Sequence, residues 1–357
     1  MKTQNIILAL QSRYPDIEVF SKKQIVDTAE MLECTKKDYK SLISSDLRVS
    51  RGMFNLSALM TKLTDNVIPM NKSTMNQETF VKDVDPNFVP WGYYSDIIKI
   101  LKTKMFFPIY IEGLSGNGKT FMAEQACAKL GLETIRVQIN PETDEDDLIG
   151  GFRLVDGETV FSYGPVIKAM KRGAVLILDE IDRATNKIMC LQGIMEGNEV
   201  IIKKTGEVIK PKQGFTVIAT ANTKGRGSET GKFTAAGILD DAFLERFKIL
   251  VEQKFPGVAV ETKILTKLSR LLDCEDDEYI TNLINWADAI RKTYYDDGVD
   301  EVISTRRLTH IIETYSIFKD RLKAIDLCIS RFDEETKEAF LDLYTKVEDP
   351  NQLDEEV

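Results

Sequence analysis

The stretch Met105–Thr120, MFFPIYIEGLSGNGKT, decides the fold. An apolar run of strand type (Phe106, Phe107, Ile109, Tyr110, Ile111) ends at Gly113, four residues intervene, and Gly118, Lys119 and Thr120 open a helical segment. That is G-x-x-x-x-G-K-[ST] in its required strand, loop, helix setting. Glycines at 113, 116 and 118 let successive backbone N–H groups turn inward around a phosphate at the positive end of the following helix. Residues Gly113, Leu114, Ser115, Gly116, Asn117, Gly118, Lys119, Thr120 and Phe121 are therefore expected to hold a nucleotide. Lys119 would reach its terminal phosphates and the Thr120 hydroxyl would ligate Mg²⁺. The competing reading is a glycine turn that caps a helix and holds no ligand; the full motif in context argues against it.

Working outward, strands and helices alternate from Phe106 onward, which predicts an α/β fold with a mostly parallel sheet covered by helices on both faces. Thr134–Ile139, Val175–Leu178, Phe215–Ala221 and Phe247–Val251 are the further expected strands, and Lys119–Leu130 the first helix. A ligand in such a sheet belongs at the carboxyl ends of the strands. The expected organisation is a small, mainly helical, winged-helix-like module over residues 1–70, a linker over 71–88, an α/β nucleotide-binding core over 89–256, and a helical lid with an acidic tail over 257–357. In the module, Ser21 is positioned to cap a helix containing Ile25, Val26, Ala29 and Leu32, and Arg48–Leu56 alternates like one short strand. The aromatic stretch Asp85–Tyr94 either packs across the base of the nucleotide or only seals the domain edge. Lid helices are expected at Ala259–Leu272, Ile280–Thr293, Arg306–Phe318 and Glu334–Tyr344.

The chemistry-bearing residues sit at the predicted strand ends. Val175–Leu178 delivers two adjacent carboxylates: Asp179 is suited to hold Mg²⁺ through its water shell, and Glu180 to deprotonate the attacking water. Phe215–Ala221 ends at Asn222, a neutral amide for the water or the terminal phosphate, although asparagine after a strand is also a common turn residue. Arg246 closes the segment LDDAFLERF; a loop whose own cation is one lysine gains from an arginine supplied by a neighbouring subunit. Arg306, after Ser304 and Thr305, is placed to contact the same phosphates from within the chain, with Arg307 as the competing choice.

Composition bounds the rest. The 357 residues are 43% hydrophobic and 29% charged, ample for a buried core and ordinary for a soluble globular protein. The formal net charge of −10 argues against a general nucleic-acid coat. Residues 1–70 carry ten basic against eight acidic side chains, so DNA binding there is a weaker expectation than docking of a partner. Five scattered cysteines form no CxxC pair, which predicts neither a disulfide framework nor a zinc site and fits a reducing cytoplasm. No segment has the apolar length of a membrane span, and Ile6–Leu10 is too short for a signal-peptide core.

Taken in order, GLSGNGKT, LILDEIDRA, ATANT, LDDAFLERF and STRRL resemble the AAA+ ATPases. Within them the chain resembles the MoxR clade, and most of all the cobalt chelatase small-subunit-like ATPases, including homologues in tailed phages. The resemblance covers about 89–318 and implies a P-loop sheet with a helical lid, and ATP with Mg²⁺ as cofactors. It makes Gly113–Thr120 the Walker A loop, Asp179 and Glu180 the Walker B pair, Asn222 sensor one, Arg246 an arginine finger acting across a subunit boundary, and Arg306 sensor two. Two arginines stand where the clade usually has one after proline. A hairpin insert would lie within Asp144–Tyr163 and another hairpin within Glu199–Lys210; Gln138 and Asn140 both remain candidates for the polar partner of Glu180. The expected function is an ATP-hydrolysing, ring-forming motor, hexameric, that remodels a partner protein, with a von Willebrand A-domain cofactor protein implied by the resemblance. Alternatives are the motor subunit of a cobalt or magnesium chelatase, which His310 as the only histidine leaves dependent on other subunits, and a nucleotide-gated scaffold or DNA-associated adaptor.

Overall fold

The computed structural model describes residues 81–349 except 156 and 228–236, and, before them, residues 6, 9–10, 13, 19–32, 34–43, 48–50 and 53–56. Two compact units emerge, Met1–Glu78 and Thr79–Val357.

In the first unit, β1 (Val19–Ser21) leads into α1 (Lys22–Met31), followed by the single turn α2 (Lys36–Tyr39), β2 (Arg48–Ser50) and β3 (Met53–Asn55). Ser21 caps α1: its hydroxyl accepts from the Gln24 N–H at 3.3 Å, and the Gln24 side chain accepts from the Ser21 N–H at 2.8 Å. Where one strand was expected over Arg48–Leu56, two antiparallel strands occur, and β1 pairs with β3 on the other side. Alternation alone does not tell one strand from two antiparallel ones. Phe20, Ile25, Ala29, Leu42, Phe54 and Leu56 form the buried centre of this unit.

The second unit opens with a segment bound along its first long helix. Residues 71–80 of the expected linker lie outside the described residues. Beyond them, Lys82 pairs with Glu124 at 2.7 Å and the Asp85 N–H donates to Gln125 at 2.9 Å. The elements that follow are α3 (Tyr94–Lys102), β4 (Ile109–Glu112), α4 (Lys119–Lys129), β5 (Thr134–Gln138), the turn α5 (Glu145–Leu148), β6 (Gly150–Val155), β7 (Glu158–Tyr163), α6 (Pro165–Arg172) and β8 (Val175–Asp179). After them come β9 (Val200–Ile201), β10 (Val208–Ile209), β11 (Thr216–Ala221), the turn α7 (Asp241–Leu244) and β12 (Ile249–Glu252). Five strands form one parallel sheet in the order β12-β4-β11-β8-β5.

The central strands are apolar without interruption because both faces are covered. Tyr110, Leu176, Leu178, Val217 and Ala219 face one core together with Val166, Ile167 and Met170 of α6. Their neighbours Ile109, Ile111, Val175, Ile177 and Ile218 face the other, with Ile97 and Leu101 of α3 and Met122, Ala123 and Ala126 of α4. The β4 strand begins at Ile109 rather than Phe106; Phe106 and Phe107 instead pack at the sheet's margin. Two antiparallel hairpins project from this core, β6–β7 and β9–β10, and Gly164 with Pro165 starts α6.

The remaining chain folds as α8 (Val258–Leu271), α9 (Asp277–Tyr295), α10 (Thr305–Phe318), α11 (Arg321–Ile329) and α12 (Glu334–Glu348) around a third buried cluster centred on Tyr279, Trp286, Leu308, Ile325 and Tyr344. Helices α3 and α11 were not anticipated from the sequence. Both are only nine residues long, and α11 follows the preceding helix with only Lys319, in the left-handed region at φ 54°, and its cap Asp320 between them.

Ile177 is fully buried in β8 between β5 and β11. Ile177→Ala is expected to cost about 2–5 kcal/mol, read as a lowered urea midpoint of the sheet's unfolding transition.

Candidate functional site

The sheet order places β4, β11 and β8 side by side, so the residues that leave their carboxyl ends meet in one cleft. β4 runs into the loop Gly113–Gly118. Gly116 and Gly118 both have φ of +79°, the left-handed region open to glycine. Space excludes a side chain there as well: a Cβ on Gly116 would stand 2.6 Å from Ser304 Oγ, and one on Gly118 2.6 Å from the Trp91 ring.

Lys119, the first residue of α4, is 7% exposed and turns back over the loop. Its ammonium donates to Gly113 O at 2.9 Å and to Asn222 Oδ1 at 3.0 Å. Burial pushes its pKa down to about 8, against the opposing pull of Asp182 and Asp179. A buried ammonium whose hydrogen-bond acceptors are neutral oxygens faces the cleft as a donor that an anionic phosphate would suit.

Thr120 donates its hydroxyl to Asp179 Oδ1 at 2.8 Å, and the Thr220 hydroxyl of β11 donates to the same oxygen. Arg136 of β5 donates to Oδ2 through Nε at 3.1 Å and also through Nη2. Burial pushes the Asp179 carboxyl up, but these hydroxyl and guanidinium partners outweigh it and hold it below the usual carboxylate range. The Thr120 hydroxyl and the Asp179 carboxylate form a hard-oxygen donor pair that fits a magnesium ion keeping most of its water.

Glu180 follows in the left-handed region at φ 58°, a costly backbone state for a glutamate. Its carboxylate accepts from Gln138 Nε2 at 3.1 Å and pairs with Arg183 at 3.3 Å. Of the two candidate partners, Gln138 is therefore the one that reaches Glu180. Asn140 instead accepts the N–H groups of Glu142 and Thr143, at 2.8 and 3.0 Å, in its own turn.

The backbone of Asn222 is held by an acid not among the residues expected from the sequence to carry chemistry. Asp182, 1% exposed, accepts the Asn222 N–H at 2.9 Å, the Thr223 N–H at 3.0 Å and the Thr223 hydroxyl at 3.1 Å. One carboxylate thus fastens the β11 tip to the turn after β8. The signal was present: a third acid two residues beyond Glu180.

A cavity of about 350 Å³ brings these groups together, lined by Ser115–Phe121, Glu124, Arg136, Gln138, Asp179, Glu180, Asn222 and Arg306. Arg306 comes from the start of α10, where its N–H donates to Gly116 O at 3.1 Å. Arg307 points elsewhere, with its guanidinium on the Cys328 carbonyl and over the Phe332 ring. Continuous with the loop is a more apolar cavity of about 390 Å³ between Phe88, Trp91, Phe121, Ile264 and Leu268. Phe88 and Phe121 meet there edge to face at 5.5 Å.

Arg246 is not among the residues lining the 350 Å³ cavity. It lies beyond the turn α7, with Nη2 on Glu196 at 3.0 Å and Nη1 on the Ala242 carbonyl. Its side chain is 22% exposed.

Residues 108–235 match the AAA domain family of the dynein-related subfamily. Protein NorQ of Paracoccus denitrificans is 29% identical over 205 residues, 57% of this chain and 71% of that protein. The aerobic cobaltochelatase subunit CobS of a Sinorhizobium species is 26% identical over 250 residues, 68% of this chain and 75% of CobS. Midasin of Giardia intestinalis is 30% identical over 174 residues, 48% of this chain, but the chain spans only 3% of midasin's own length. Residues 108–235, running from the base of β4 past Asn222, thus form an AAA domain of the dynein-related subfamily, and the chain that carries it is related to NorQ and CobS.

Proposed function

We propose that this chain is an ATP-driven motor that works as a homo-oligomeric ring, hexameric in its active form, and remodels a partner protein. The observation that carries the reading is the convergence of Lys119, Asn222, Thr120 and Asp179, linked by contacts of 3.0 and 2.8 Å, in one cavity from which Arg246 is missing. Everything needed to hold a triphosphate is present in one protomer, while the arginine that would stabilise its reaction is set apart.

In this reading the loop N–H groups and Lys119 hold the β- and γ-phosphates, and Thr120 and Asp179 hold Mg²⁺. The ion, when bound, screens the phosphate charge that the reaction develops. Glu180 takes the proton of a water whose oxygen attacks the γ-phosphorus as the bond to ADP breaks, and Gln138 keeps that carboxylate aimed. Asn222 orients the water or the γ-phosphate, and passes from Lys119 to that task once phosphate takes its place on the ammonium. Arg306 meets the phosphates from the helical lid of the same chain, and Arg246 meets those of the neighbouring protomer. Trp91 and Phe121 are suited to flank the adenine.

The β6–β7 hairpin supports the remodelling role: Phe152 and Leu154 are 50% and 77% exposed on it, apolar surface that a client segment would cover. A von Willebrand A-domain protein as partner rests on the resemblance to the MoxR clade. No described helix is long and apolar enough to cross a membrane.

Glu180→Gln is expected to slow phosphate release by about 10²- to 10⁴-fold while leaving ATP binding in place; equal release from both proteins contradicts the base assignment. Arg246→Ala should likewise bind ATP and fail to hydrolyse it, and mixing it with Glu180→Gln protein should restore turnover, because intact base and intact arginine then meet at mixed interfaces. Hydrolysis by Arg246→Ala alone removes the case for action between subunits. The two tryptophans separate binding from the lid core: ATP should change the emission of Trp91, and Trp91→Phe, which leaves only buried Trp286, should abolish that change.

A further inference from the structure

The Asp179 carboxylate has its two oxygens divided between different partners. Oδ1 receives the hydroxyls of Thr120 and Thr220, whereas Oδ2 receives only the Arg136 guanidinium, through Nε at 3.1 Å and through Nη2. The same guanidinium reaches a second acid, with Nη1 3.4 Å from Glu124 Oε1, and Glu124 in turn holds Lys82 at 2.7 Å. Charges therefore alternate along a line of four: Lys82, Glu124, Arg136, Asp179. The acids in it are nearly buried, with side chains 9% and 7% exposed, while the Arg136 side chain that touches both is 41% exposed. Register explains the reach: β5 pairs with β8 so that Gln138 stands opposite Asp179, and Arg136, two residues back on the same face of the strand, lies beside it.

We propose that Arg136 is a resident counter-cation for Asp179 that competes with the divalent ion, swinging towards Glu124 when the metal arrives. The proposal rests on the nucleotide-site reading above. A monovalent guanidinium satisfies a buried carboxylate that would otherwise be left unpaired in the metal-free protein. The same charge repels a cation entering beside it, so the site loads at a higher free Mg²⁺ concentration than its oxygen donors alone would require. Glu124 supplies the second resting place, and its distance of 3.4 Å means that a small rotation of the side chain is enough. Arg136 is thus a positioning residue that sets the metal threshold.

The test is the Mg²⁺ dependence of binding of a fluorescent N-methylanthraniloyl ATP to the full chain, which needs no turnover. Arg136→Met should lower the Mg²⁺ midpoint roughly three- to tenfold, the effect of removing one charge next to a partly hydrated site. Arg136→Lys, which keeps the charge, should stay within about twofold of the unmodified chain. Glu124→Gln removes the second resting place and should move the midpoint the other way, upward. An Arg136→Met midpoint that is unchanged or raised overturns the proposal, and so does a Glu124→Gln midpoint that does not rise. If the unmodified chain shows no Mg²⁺-dependent nucleotide binding, the site reading itself fails; normal dependence with unshifted variants defeats the counter-cation alone.

Discussion

The constraint on which this protein depends is the placement of a buried ammonium, Lys119, where neutral oxygens alone receive it. Helix α4 can start there because Gly116 and Gly118 turn the backbone through the left-handed region, and the sheet holds Gly113 and Asn222 on adjacent strands. Burying a charge is unfavourable, and the lowered pKa of Lys119 records that cost, which Asp182 and Asp179 offset only in part. A phosphate removes it. The apolar strands, the two covering helix layers and the Asp182 latch between the β8 and β11 ends serve to keep that geometry in place before any ligand arrives.

A second buried charge ties the helical domain to the loop. Arg291 of α9 forms a fork with Glu261 of α8 at 2.8 and 2.9 Å and donates to the Ile303 carbonyl at 2.7 Å. Thr305 donates to the same Glu261 at 2.6 Å. The start of α10 is thereby fixed from both sides: by this network behind it, and by the Arg306 N–H to Gly116 contact in front. The phosphate loop and the helical bundle are thus joined through a short, packed path.

Much of this was legible in the sequence. The spacing of Gly113, Gly118 and Lys119 announces a phosphate loop, and uninterrupted apolar runs such as Val175–Leu178 announce strands buried on both faces. What they could not convey is lateral. Arg136 is one charged residue in the strand TIRVQ, and its role appears only once the register sets it beside Asp179. Asp182 is one acid in DEID, and its function depends on β11 arriving next to β8. Gln138 and Asn140 differ by two residues on one strand exit, so only the path of the chain after β5 separates the glutamate's partner from a turn residue. Helix α3 carried its own signal in the Ile97 and Leu101 spacing, but lies between an aromatic stretch and a strand that draw attention away from it.

The central claim, that one triphosphate is held between Lys119, Thr120 and Asn222, is tested most directly by a structure of the chain with Mg²⁺ and a slowly hydrolysed ATP analogue. The account predicts the γ-phosphate within hydrogen-bond distance of Lys119 Nζ and Asn222, the metal on Thr120 and near Asp179, and the base beside Trp91. A nucleotide bound outside the 350 Å³ cavity, or one whose phosphates leave Lys119 on the Gly113 carbonyl, would contradict it.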